Sequence, residues 1–250
     1  MLLRPKSPGN VGSVARGMKN MGFTRLVVAD PMIYDDPAYF DSESRRMAWQ
    51  ATDVLETRLT APGLGEALSP FHIVAGTTSD PPDGARVRPP RELAAEISAR
   101  LSREPSFSVA LLFGQEDIGL TRDHLARCHL VCTIPAAGAY PSLNLAQAAL
   151  LILYELRLAL LEASGSPHGN PAEAPPDAPT DLLPSHGDLE GFHARLERAL
   201  DEIGFLQGTA KAHMMRELRT IFNRALLTRR ELAILEGVVH QVTWAARRRG

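Results

Sequence analysis

Across residues 1–162, short apolar runs that stop at Gly, Pro or Asp alternate with stretches of helical periodicity. The runs are RLVVAD (25–30), FHIVAG (71–76), FSVALLFG (107–114) and HLVCTIP (129–135). Each is too short for a robust helix and apolar on successive positions, as strands covered by helices on both faces must be. Helical patterns fall near 10–21, 42–50, 90–103, 121–127 and 142–162. Such alternation predicts an α/β sandwich with a mostly parallel sheet. Only Met1-Leu2-Leu3 precedes Arg4-Pro5, so the opening strand is either very short or begins upstream.

Residues 163–186 interrupt this pattern with six prolines, three acids and no Lys or Arg, and read as a Pro-rich linker. Beyond it Phe192, Leu196, Ala199, Leu200 and Ile203 recur at helical spacing, with Asp188 as a cap and Gly204 as a stop. Two more helices are expected near 209–225 and 229–246. The chain thus divides into a domain at 1–162, a linker at 163–186 and a small helical C-terminal extension at 187–250. The extension is too small to be robust alone and is expected to dock on the first domain or on a second subunit.

Composition excludes several functions. The net charge of −2 offers no polycation argument for nucleic acid, although residues 1–29 hold Arg4, Lys6, Arg16, Lys19 and Arg25 and no acid. No membrane span is expected, because the richest apolar stretch, 143–161, carries Asn144, Gln147, Glu155 and Arg157. The first ten residues lack the apolar core of a signal peptide. Two cysteines, Cys128 and Cys132, are too few for a disulfide scaffold or a four-thiolate zinc site, and the eight histidines show no HExxH spacing. A cytoplasmic protein without a metal site is the expectation. The absence of GxxxxGK, GxGxxG and GxSxG motifs counts against ATP hydrolysis, a nicotinamide oxidoreductase and a serine hydrolase.

Three constellations remain. PGNVGSVARGMKNMG (8–22) reads as a loop entering a helix, with Asn10 as cap, Gly22 as stop and Val11, Val14, Ala15, Met18 and Met21 as the apolar face. Ser13, Arg16 and Asn20, with Lys19 beside them, make a polar face that is either an anion site near a helix N-terminus or a solvated basic surface. LLFGQEDIGLT (111–121) follows a strand; Gly114 permits a sharp turn, Glu116 and Asp117 sit in the loop, and Thr121 can cap the next helix. IPAAGAYPSLNLAQ (134–147) leaves a strand through small residues, stiffens at Tyr140-Pro141, and offers Ser142 or Asn144 as cap of a long apolar helix. Two strand ends opening into such loops would form a cleft for an adenosine-sized ligand.

In order, NVGSVAR (10–16) with NMG (20–22), FGQEDIGLT (113–121), and IP (134–135) with SLNLA (142–146) resemble the motifs of the SPOUT superfamily, specifically the TrmH-like RNA ribose 2′-O-methyltransferases. GFHARLERALDEIGF (191–205) and RRELAILEGVV (229–239) resemble the helical extension of that family's TrmJ group. The resemblance implies a deep trefoil knot, S-adenosylmethionine bound in the knotted loops, a homodimer whose sites are completed by the partner, and methylation of tRNA at nucleotide 32 of the anticodon loop, on cytidine or uridine. By motif position it assigns cofactor binding to Thr77, Thr78, Ser79, Gly114, Ile134, Pro141, Ser142 and Leu143. It makes Arg16 the catalytic residue, with Asn10, Glu116, Ser142 and Asn144 shaping the site. Gln115 and the irregular GTTSDPPDGAR loop (76–86) depart from the family pattern. Ribosomal RNA as substrate, or a catalytically silent RNA-binding relative, are the alternatives.

Overall fold

The computed structural model describes residues 1–31, 37–104, 106–138, 141–164, 182–206 and 208–248. Tyr140 and most of the Pro-rich linker, residues 165–181, lie outside the described residues.

The first unit opens with β1 (Leu2–Leu3), α1 (Pro8–Asn20), β2 (Val27–Ala29), α2 (Pro37–Ala48), a 3-10 turn (Trp49–Ala51), α3 (Thr52–Glu56), β3 (Leu59–Ala61) and α4 (Leu64–Leu68). It continues through β4 (Ile73–Thr77), β5 (Val87–Arg88), α5 (Pro90–Arg103), β6 (Val109–Leu112), α6 (Arg122–Leu125), β7 (Leu130–Cys132) and α7 (Leu145–Ala163). Then come α8 (His186–Glu202), a 3-10 turn (Gly208–Ala210), α9 (Lys211–Ala225) and α10 (Arg229–Arg247).

Among the described residues the strands pair in parallel, in the orders β1-β2-β3 and β5-β7-β4-β6. The two sheets meet where Leu2 pairs with Phe113, with Leu3 N donating to Phe113 O at 2.9 Å and Phe113 N to Met1 O at 3.0 Å. The short opening strand is therefore central, and the order across the molecule reads β3-β2-β1-β6-β4-β7-β5. Successive residues point to opposite faces. Ile73, Ala75, Leu130 and Cys132 join the core under α1, α5 and α7, while Val74, Ala110, Leu112 and Val131 join the core under α4 and α6. The inner strands β1, β2, β6 and β7 are apolar throughout because both faces of the sheet are covered there.

Two caps differ from expectation. Ser7, not Asn10, caps α1, its Oγ accepting from Asn10 N at 3.3 Å, and Pro8 fills the first helical position where a missing N–H costs nothing. Ser185, not Asp188, caps α8; Asp188 stands three residues on and closes a capping box. Of the two candidates for α7, Asn144 is the cap, its Oδ1 accepting from Ala146 N at 2.9 Å and Gln147 N at 3.3 Å. Thr121 caps α6 as expected, and Gly22 and Gly204 follow their helices with φ of +79° and +73°. Strands β3 and β5 and helices α3 and α4 have no counterpart in the periodicity. At Gly12 a Cβ would lie 2.1 Å from Ser44 O, so α1 and α2 cross at a distance that only glycine allows.

The tail rests on the first unit. His186 N donates to Phe71 O at 2.7 Å, Gly187 N to Ser69 O at 3.1 Å, and the buried Asn223 Nδ2 to Ala126 O at 2.7 Å. Its own small core joins Leu189, Phe192 and Ala199 to Leu232 and Val239.

Candidate active site

The carboxyl ends of β4, β6 and β7 open into loops that enclose a cavity of about 410 Å³. In parallel α/β sheets this edge is where ligands bind. The β4 loop is held by Thr77 Oγ1 donating to Leu112 O at 3.1 Å and Thr78 N donating to Cys132 O at 3.1 Å. The β6 loop doubles back: Gly119 N donates to Gln115 O at 2.8 Å, and a Cβ on Gly114 would lie 2.2 Å from Gly119 C. Gly114 is thus required by backbone crossing backbone, and Gly119 by its φ of +64°.

Thr77, Thr78, Ser79, Gly114, Ile134, Pro141, Ser142 and Leu143 all line this cavity, as does Glu116. Asn10 and Asn144 stand behind that wall and are tied to it. Glu116 Oε1 accepts from Ser7 N at 2.9 Å and from Asn10 Nδ2 at 3.0 Å, and its Oε2 accepts from Lys6 N at 2.8 Å. Asn144 Nδ2 then donates to Asn10 Oδ1 at 3.0 Å. One hydrogen-bonded line, Glu116–Asn10–Asn144, therefore joins all three sequence constellations. Burial raises the Glu116 pKa, but the Asn10 amide and the Lys6 and Ser7 N–H groups outweigh it and hold the carboxyl below its ordinary value. Beside it the Lys6 ammonium pairs with Asp117 and lowers that carboxyl too.

Arg16 is not among the residues lining the cavity. It stands exposed on α1 and, among the described residues, makes no hydrogen bond or ion pair, while Lys19 one turn on pairs with Asp53 at 2.8 Å. Sequence reasoning missed Asp80, Arg122 and Leu120 in the wall. Thr121 was legible only as a cap, and nothing in the pattern paired Arg122 with Asp80, whose Nη2–Oδ2 distance is 2.7 Å. Cys128 and Cys132 are buried, with thiols pushed up to about 12 by desolvation, which agrees with packing roles. Among the described residues no cluster of three or more His, Cys, Asp or Glu is placed to hold a metal, and no helix is long and apolar enough to cross a membrane.

A parallel α/β sheet whose carboxyl edge holds a polar pocket, walled by the loops after β4, β6 and β7 and with a helical tail docked beside it, is the architecture of a ligand-binding α/β protein. The chain belongs to the SpoU methylase family: residues 1–154 match the model of the SpoU rRNA Methylase family. Residues 187–250 match the C-terminal domain of the tRNA methyltransferase TrmJ. The chain is 34% identical over 247 residues to a tRNA (cytidine/uridine-2′-O-)-methyltransferase TrmJ of Pectobacterium atrosepticum, covering 97% of this chain and 95% of that protein. It is 36% identical over 249 residues to the tRNA (cytidine/uridine/adenosine-2′-O-)-methyltransferase TrmJ of Pseudomonas aeruginosa, covering 99% and 94%. Among solved structures, TrmJ from Z. mobilis ZM4 superposes with a TM-score of 0.78 at 26% identity, covering 96% of each chain. A probable methylase family protein from Haemophilus influenzae gives 0.60 at 30% identity, covering 100% of this chain and 97% of that one.

Proposed function

We propose that the protein is an S-adenosylmethionine-dependent tRNA ribose 2′-O-methyltransferase acting on cytidine or uridine at nucleotide 32 of the anticodon loop. The observation that carries this reading is the Glu116–Asn10–Asn144 line, which ties the first turn of α1 to the loops after β6 and β7 beside one cavity. The wall fits the cofactor. Its volume lies in the range of small-molecule sites. It carries the carboxylates of Asp80, Glu116 and Asp117; Arg122 offsets Asp80 and Lys6 offsets Asp117, leaving the Glu116 charge, which suits a ligand bearing positive charge and opposes a polyphosphate.

Residues Thr77 to Ser79, Gly114, Ile134 and Pro141 to Leu143 would hold the cofactor by backbone groups, hydroxyls and apolar contact. When bound, the cofactor supplies an electrophilic methyl group on a sulfonium centre. The chain must place a ribose hydroxyl and manage its charge. Glu116 stays ionised and fixes the Asn10 amide, which in turn sets Asn144. Arg16 would grip the phosphate next to the target ribose and stabilise the negative charge that develops on the 2′-oxygen as the hydroxyl proton passes to solvent water. A guanidinium is always protonated, so its part is electrostatic rather than that of a base.

In this reading the working form is a homodimer in which Arg16, which does not line its own chain's cavity, completes the partner's site. α7 supports this by presenting Leu150, Leu151 and Tyr154 to solvent at 40%, 44% and 48% exposure. The same reading divides the chain at 1–162, 163–186 and 187–250, threads the β6–α7 region as a trefoil knot, and sets the protein in the cytoplasm without a resident metal. Ribosomal RNA is the second reading, because the matched family model is described as an rRNA methylase. The match of residues 187–250 to a tRNA methyltransferase domain favours tRNA.

The test is transfer of labelled methyl to unfractionated RNA, followed by mapping of the product. Label on the 2′-oxygen of nucleotide 32 of tRNA is expected, and label confined to ribosomal RNA overturns the substrate. Arg16→Ala should abolish turnover while keeping stability within about 0.5 kcal/mol, since an exposed, unpaired side chain contributes little to folding.

A further inference from the structure

α9 meets the two elements that carry part of the cavity's wall, α6 and the loop after β4, at three points. Its buried Asn223 donates from Nδ2 to Ala126 O at 2.7 Å, satisfying a carbonyl at the end of the four-residue α6. Arg216 Nε meets Asp123 Oδ1, in the first turn of the same helix, at 2.6 Å. Arg224 Nη1 donates to Gly84 O at 3.0 Å, in the loop that follows β4. Both ends of α6 are thus held by one helix of the tail, which also holds the opposite loop. The wall itself closes the circuit: Arg122 donates to Asp80 O at 3.2 Å and pairs with its carboxylate, and both residues line the cavity. The result is a ring running α9–Asp123–Arg122–Asp80–Gly84–α9. A one-turn helix and a loop with little regular hydrogen bonding of their own have few other means of keeping a fixed separation.

We propose that α9 is the outer brace of the cofactor pocket, with Asn223, Arg216 and Arg224 as positioning residues, so that cofactor affinity depends on the tail being docked. The inference rests on the reading of the cavity as an S-adenosylmethionine site. A ligand that orders the two loops and a helix that orders the same loops favour one arrangement, and such coupling is reciprocal. Anything that pulls the tail away, an RNA included, therefore loosens the cofactor, and the cofactor in turn seats the tail.

Calorimetric titration of the full chain with S-adenosylmethionine, without RNA, tests this. Arg224→Ala, Arg216→Ala and Asn223→Asp, which keeps the shape but loses the donor, should each weaken binding about five- to twentyfold. Arg224→Lys and Arg216→Lys should recover binding to within about twofold, a rescue that a general loss of stability would not show. Saturating cofactor should also slow amide hydrogen exchange in α9 of the wild type. If the wild type binds and the folded alanine variants bind equally well, the brace is refuted while the cofactor site stands. If the wild type binds no S-adenosylmethionine, the cofactor reading fails and the brace falls with it. Should Asn223→Asp not fold, the surface variant Arg224→Ala decides the matter alone.

Discussion

Glu116→Gln probes the join between the three loops. The carboxylate accepts from Lys6 N at 2.8 Å, Ser7 N at 2.9 Å and Asn10 Nδ2 at 3.0 Å. The glutamine carbonyl can take the place of Oε1 and serve Ser7 and Asn10. Its amide would then face the Lys6 N–H, donor against donor. Hydrogen bonds to a charged group contribute about 1.5–3 kcal/mol each when protected, and Glu116 is only half-buried, so water competes. Losing one bond and the charge behind the other two should cost about 1–3 kcal/mol. For a chain of this size that lowers Tm by roughly 2–12 °C. The pH dependence has a definite sign. A carboxylate held below its ordinary pKa adds stability above the unfolded-state value, and that stability is lost as pH falls through the folded value. Urea unfolding of both proteins should therefore show the full gap at pH 7 and a closing gap as pH approaches the acid limb. A glutamine variant within about 0.5 kcal/mol of wild type at pH 7, or a gap insensitive to acid, would refute the reasoning.

Gly12→Ala forces a methyl to 2.1 Å from Ser44 O and 2.9 Å from Met47 Cβ, so α1 and α2 must separate, at a cost of about 3 kcal/mol or more; denaturant unfolding at wild-type stability would contradict that crossing. His129 and His186 are lowered by burial to about 3 and about 4, so the unfolded chain binds their protons first as pH falls below about 6.5. Stability should drop by about 2 kcal/mol per histidine between pH 7 and pH 5, and His186→Gln should flatten the profile; a flat wild-type profile over that window counts against neutral buried histidines.

Much of this protein is legible along the chain because burial on two faces leaves a plain trace. β2, β4, β6 and β7 each lie inside or nearly inside an apolar run, and α1, α5 and α7 follow apolar stripes to within a few residues. β3 and β5 left no such trace. LTA and VR sit at the two margins of the sheet, are partly exposed, and become strands only through pairing with β2 and β7. Caps were misread where two candidates stood close together. Ser7 and Asn10, or Ser185 and Asp188, are chemically equivalent choices until the approach of the preceding chain is known.

By itself the sequence determined the alternation of strands and helices, the Gly114 turn, and the three loops that carry polar residues. These depend on spacing and residue type, which are local. Tertiary structure alone decided that Asn10, Glu116 and Asn144 form one hydrogen-bonded line, that Arg16 is not among the residues lining its own chain's cavity, and that the tail holds α6 and the loop after β4 beside that cavity. The residues in that line are separated by 106 and 134 positions. A hydrogen bond depends on a few tenths of an ångström and on direction, and only the packing of helices across a parallel sheet sets those.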